Sequence, residues 1–201
     1  SVLWSGILAV GYGVWAFFFL PHTPPVVSES RKPALAKAFG LLKTRSFAVM
    51  LGVTLIISPM NTLYFMQCAK FLTKAGLDQA YLMPAMALGQ FCEIIMYVIL
   101  GRLLPRLGFR TVITIGLCAW ALRFLVFGTV NLPVWFMVSA QAIHGVCYAF
   151  YVSTCFIYCN KIAPADIRNS AQSIFNFIWY GIGPILAVLL NALLAGWFSQ
   201  S

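Results

Sequence analysis

The sequence predicts an all-α, polytopic membrane protein, and three observations carry that prediction. Aliphatic, aromatic and cysteine residues make up 62% of the 201 residues and charged residues only 8%, too few to cover a water-soluble domain of this size. Apolar runs recur at the roughly 20-residue length that a helix needs to cross hydrocarbon. The basic residues behind the net charge of +9 gather in alternate connections between those runs. Arg31, Lys32, Lys37, Lys43 and Arg45 share one connection, Arg102, Arg106 and Arg110 a second, and Lys161 and Arg168 a third. The intervening connections hold Lys70 and Lys74, or, from Gly128 to Pro133, no basic residue. This is the positive-inside pattern, so the charge reports orientation rather than a nucleic-acid partner.

The elements follow in order. A first span covers Val2 to Leu20 and stops at PHTPP, where proline forbids continuation. With no basic stretch or cleavage site before it, this run is expected to be a transmembrane helix rather than a signal peptide, and the sequence is expected to be a fragment or a truncation. Residues 21–45 form a basic cytoplasmic loop, in which Ala34 to Leu42 has the pattern of a short amphipathic surface helix. A second span runs from Ser46 to Ala69, a third from Gln79 to Gly101, and a fourth from Thr111 to Gly128. A fifth covers Leu132 to Cys159 and a sixth Asn169 to Phe198. The basic loops put the end of the first span in the cytoplasm, and the later spans alternate from there. The six cysteines lie within or at the ends of apolar spans without a CxxC pair, and read as small packing residues.

Polar residues recur inside these spans at helical spacing. Gln90, Glu93 and Tyr97 step by three and four along the third span, which sets them on one face. Gln141, His144, Tyr148, Tyr151 and Cys155 do so on the fifth. Asn61, Tyr64 and Cys68 share a face of the second span, with Gln67 about a third of a turn away. Gln172, Asn176 and Tyr180 mark the sixth, beside Phe175 and Trp179. Polar groups in hydrocarbon must find partners or water, so the four stripes are expected to face a shared cavity. Amide, hydroxyl, imidazole and aromatic groups together suit a neutral, ring-shaped, hydrogen-bonding solute. Glu93 stands out, because a membrane carboxylate is functional by default and suited to carrying a proton. His144 could relay that proton, bind solute in its neutral form, or pair with Glu93. Arg123, towards the outer end of the fourth span, is expected to snorkel to the interface as an anchor. Pro59, Pro84 and Gly181 to Pro184 mark places where helices can bend.

The run GRLLPRLGFR, Gly101 to Arg110, resembles the G-x-L-x-x-R-x-G-x-R loop that major facilitator superfamily transporters repeat in each half. Gly101, Leu103, Arg106, Gly108 and Arg110 match it, with Arg102 inside the motif and Pro105 where the family often has Asp. The run from Ala140 to Phe175 is similar to the nucleoside:proton symporter family of that superfamily, through H-G-x-C-Y-x-F and P-x-x-x-R-x-S-A-Q. The resemblance implies that residues 1–20 correspond to helix 6, 21–45 to the central loop and 46–201 to helices 7 to 11. It also implies that helix 12 and the amino-terminal half are absent.

In that family a Gln-x-x-Glu pair and two aromatic positions bind solute, which the resemblance carries to Gln90, Glu93, His144 and Tyr148. It adds Asn61, Tyr64 and Gln67 on helix 7, and the sixth-span stripe adds Asn176. Glu93 and His144 are the expected proton-coupling pair, and Gly101, Arg102, Arg106, Gly108 and Arg110 the cytoplasmic gate. The implied activity is proton-coupled nucleoside uptake by alternating access, without covalent chemistry, metal or cofactor, driven by the proton gradient. The implied surroundings are the lipid bilayer of a bacterial inner (plasma) membrane and the amino-terminal half of the same transporter. The rivals are a sugar or oligosaccharide symporter, a multidrug exporter, and a non-transporting scaffold or remnant.

Overall fold

The computed structural model describes residues 2–21, 34–129 and 132–198. Much of the predicted cytoplasmic loop, with Arg31 and Lys32, lies outside the described residues, as do residues 130 and 131. The chain divides into two units, residues 1–31 and 32–201. The first contributes one described element, the apolar helix α1 (Val2–Phe19).

In the second unit a short helix α2 (Ala34–Phe39) precedes α3 (Arg45–Lys74), α4 (Gln79–Gly128), α5 (Val134–Ile162) and α6 (Ala165–Leu194). The last four are, among the described residues, the helices long and apolar enough to cross a membrane. At 50 residues α4 would extend about 75 Å, more than twice the hydrocarbon thickness. It is broken once, at Gly108, where φ is 76° and ψ 166°, a backbone region open essentially to glycine alone. The two arms of α4 supply the third and fourth predicted spans. The predicted loop Gly101 to Arg110 is accordingly shorter than expected. Gly101, Arg102 and Arg106 continue the helix, Pro105 is accommodated within it, and only Gly108 turns the chain.

Local chemistry sets the remaining boundaries. Asp78 caps α4 by accepting the Ala80 N–H at 2.8 Å, which satisfies one of the amides orphaned at a helix start. Pro59 lies inside α3 beside Ser58, whose hydroxyl donates to the Trp179 carbonyl of α6 at 2.6 Å. Both α5 and α6 carry one wider, π-helical stretch, Tyr148–Ser153 and Phe177–Ile182. The second lies where Gly181 to Pro184 predicted an interruption.

Helix packing relies on small residues, as it does where lipid removes the hydrophobic drive between helices. A Cβ on Gly145 would come within 2.6 Å of the Cys92 backbone, and one on Gly116 within 2.7 Å of the Tyr151 amide. Both contacts clamp α5 between the arms of α4. The main core joins Phe47, Trp120, Tyr151, Phe175 and Trp179. Outside it, Phe91, Ile94, Ile95 and Val98 of α4 are exposed, an apolar stretch that a water-soluble bundle would cover.

The basic clusters converge on one end of this unit. Lys37 of α2 pairs with Asp166 at 3.1 Å, and the Lys161 ammonium sits 4.9 Å from the Phe109 ring centroid. The predicted surface helix therefore docks on the bundle through this ion pair and the fully buried Ala38.

Candidate solute site

Glu93 lies near the middle of the first arm of α4, on the face that also carries Gln90 and Tyr97. The Tyr97 hydroxyl donates to Glu93 Oε1 at 2.7 Å and accepts from Ser153 Oγ at 3.0 Å. On its other side, Glu93 Oε2 is 4.0 Å from His144 Nε2, and the side chains keep only 17% and 6% of their exposure. The close contact at Gly145 holds α5 at this separation, and Gly89 leaves room for the His144 ring, whose Cβ would lie 3.1 Å from an added methyl.

His144 is gripped from behind. Arg123, on the second arm of α4, places Nη1 2.9 Å from His144 Nδ1 and Nη2 3.5 Å from Gln141 Oε1. A guanidinium can only donate, so a hydrogen bond at this distance takes Nδ1 as its acceptor, while Nε2 lies on the Glu93 side of the ring. The guanidinium also lies 3.6 Å from the centroid of the Tyr64 ring, a favourable seat for a cation. Tyr64 in turn donates to Gln141 Oε1 at 2.6 Å and accepts from Cys68 Sγ at 3.0 Å. One polar network thus runs from α3 through both arms of α4 to α5.

Arg123 is 1% exposed, and the expected snorkelling is corrected. Its stem turns inward, where the imidazole and the Gln141 amide receive its two Nη groups and the Tyr64 face seats the cation. Arg123 and Ser153 are members of this site that the sequence reading did not assign to it. The available signal was a cation within an apolar span of a chain with a single deep carboxylate.

The expected stripes separate in three dimensions. Tyr148 is half-buried, its ring 5.8 Å from that of His144 and its hydroxyl 2.7 Å from that of Tyr180. Tyr151 and Cys155 join the packed core. Both are fully buried, and the Tyr151 hydroxyl bonds Thr54 Oγ1 at 2.9 Å. The π-helical stretch is the physical reason, since a wider turn shifts the helical phase after Tyr148. Gln90 is exposed on the Glu93 face. Asn61 has a buried Oδ1 with no hydrogen-bond partner. Gln67 reaches away from the network to Asn191 Oδ1 on α6, at 2.6 Å, and borders a cleft of about 330 Å³ with Met60 and Phe124. Asn176 is half-buried at the start of the π-helical stretch of α6. Gln172 is turned to the Phe156 carbonyl of α5 at 3.4 Å. In the gate motif, Arg102, Arg106 and Arg110 are all exposed.

Chemically, Glu93 receives a hydroxyl from one side and faces the Nε2 edge of His144 on the other. It presents a carboxylate that can accept from a donor group or take up a proton, beside the tyrosine ring of Tyr148.

Comparison with known proteins finds relatives among transporters. The putative nucleoside transporter YegT of Escherichia coli (strain K12) is 30% identical over 191 residues, spanning 90% of this chain and 44% of that protein. Nucleoside permease NupG of the same organism is 26% identical over 204 residues, 90% of this chain and 47% of that one. A maltose permease of Geobacillus stearothermophilus is 25% identical over 160 residues, 77% of this chain and 39% of that one. The fold matches a crystal structure of nucleoside transporter NupG with a TM-score of 0.68 at 23% identity, covering 88% of this chain and 48% of that one. The chain therefore spans about half the length of the relatives it matches. Residues 2–201 match the family described as Nucleoside H+ symporter, and with its fold and membrane-spanning helices the chain belongs to that family.

Proposed function

We propose that this chain works as the carboxy-terminal part of a proton-coupled nucleoside transporter, completed by an amino-terminal half. The observation that carries the proposal is the partly buried Glu93 carboxylate, hydrogen-bonded by Tyr97 and faced by His144. Such a group can accept a hydrogen bond from a ribose hydroxyl or a base N–H in one state and hold a proton in another. Gln90 adds an amide on the same face, and Tyr148, with Tyr180 beside it, adds an aromatic surface on which a base can rest. Asn61, Tyr64, Gln67 and Asn176 are assigned to the walls of the solute path. Glu93 and His144 form the coupling pair, because moving a proton onto Glu93 discharges the one carboxylate in the interior of the described spanning helices. The two halves rock about the cavity and open it to each side in turn. Arg102, Arg106 and Arg110 hold the cytoplasmic end, with Gly101 and Gly108 shaping the motif.

Uptake of labelled uridine by the full-length protein in vesicles, with and without a pH gradient, tests the proposal. Gradient-driven accumulation is expected in the wild type and is expected to vanish in Glu93→Gln. Normal accumulation by that variant removes Glu93 from the coupling step. The match to a maltose permease favours a second reading, a sugar symporter. Competition separates the two: adenosine but not maltose should suppress uridine uptake.

A further inference from the structure

Arg123 raises a question that solute binding and proton coupling leave unanswered. A buried guanidinium carries a large desolvation cost, and apolar residues of similar volume often serve a fold equally well or better. Its Nε, moreover, is buried without a partner. A purely structural cation would be an expensive choice.

Charge balance narrows what it can do. The chain has four acidic residues, of which Glu29 lies outside the described residues. Asp78 is occupied as the cap of α4, and Asp166 pairs with Lys37. Glu93 is the remaining carboxylate, and Arg123 reaches it only through the His144 ring: Nη1 at 2.9 Å from Nδ1, then Nε2 at 4.0 Å from Oε2. The close approach of Gly145 to the Cys92 backbone holds the His144 helix against the Glu93 helix, and the chemistry of the ring then turns on which nitrogen holds the proton. In water the two tautomers of a neutral imidazole are close in energy. A donor that cannot lose its protons settles the choice.

We propose that Arg123 is a positioning residue for the Glu93 site, holding His144 as the Nε2–H tautomer so that its N–H is aimed at the carboxylate. The inference rests on the reading of Glu93 as the solute and proton site. Two donor chains then converge on Glu93, Ser153 to Tyr97 from one side and Arg123 to His144 from the other. Both leave the carboxylate as the common acceptor. A solute group that meets the ionised carboxylate must be a donor, a hydroxyl or an N–H.

The test is ¹⁵N NMR of histidine-labelled full-length protein, with the His144 signals assigned by their loss in His144→Gln. One protonated and one unprotonated ring nitrogen are expected, with the proton on Nε2. An Nδ1–H ring or a doubly protonated ring in the wild type overturns the proposal without recourse to any variant. Arg123→Met, which keeps the volume and removes the donor, is expected to populate both tautomers and to raise the KM for uridine uptake about tenfold. Arg123→Lys, which still donates, is expected to retain the Nε2–H form. An unchanged tautomer in Arg123→Met overturns the proposal. The NMR measurement needs no solute, so a tautomer shift in a protein that never accumulates uridine would sink the nucleoside reading and leave the positioning role standing.

Discussion

Gly145 is where the site's geometry can be tested most directly through packing. An added methyl would lie 2.6 Å from the Cys92 carbonyl carbon and 2.7 Å from the Glu93 amide nitrogen. Both neighbours are backbone atoms of α4 and cannot rotate away. Ordinary contact begins near 3.4 Å, so Gly145→Ala must part α4 and α5 by about 0.8 Å, an overpacking strain that costs about 1–3 kcal/mol. The same movement carries His144 from 4.0 Å to nearly 5 Å from Glu93 and weakens their attraction. The assay is thermal melting of the full-length protein in detergent, with Gly101→Ala as control. Gly101 is helical and has no atom within 4 Å of an added methyl, so alanine there is expected to stabilise by about 0.5–1 kcal/mol. Gly145→Ala should melt several degrees below wild type and lose uridine affinity. Equal melting of Gly145→Ala and wild type, or equal losses at both glycines, would refute the close-packing argument.

Further tests address the core, the break in α4 and the basic end. Thr54→Val should destabilise by about 1–3 kcal/mol, because it strands the buried Tyr151 hydroxyl. Tyr151→Phe in the same background should recover part of that loss, and denaturant titration reads both. Gly108→Ala forces a side chain into φ 76°, ψ 166°, and should cost about 1–3 kcal/mol in the same titration. Lys37→Ala removes an ion pair whose side chains are 33% and 48% exposed. Its effect should stay below about 1 kcal/mol and fade with added salt.

Much of this protein was legible in one dimension. Span length and composition marked the membrane helices, because a bilayer demands about 20 apolar residues whatever the fold. The basic clusters marked one end of the bundle, and Lys37, Asp166, Lys161 and Phe109 do meet there. Three- and four-residue steps joined Glu93 to Tyr97, since helical periodicity alone puts them in hydrogen-bonding reach.

Tertiary structure decided what depends on neighbours from distant parts of the chain. The phase of α5 changed at its π-helical stretch, which sent Tyr148 to the site and Tyr151 to the core. Gln67 turned to Asn191, a partner 124 residues away, rather than to Glu93. Arg123 had a stem long enough to reach either the interface or the interior, and sequence position does not distinguish them. The choice was made by His144, Gln141 and Tyr64, which together offer a cation two acceptors and an aromatic face. Helical spacing is a property of the backbone and can be read locally. Where a long polar side chain rests depends on which acceptors other helices bring within its reach, and packing alone supplies them.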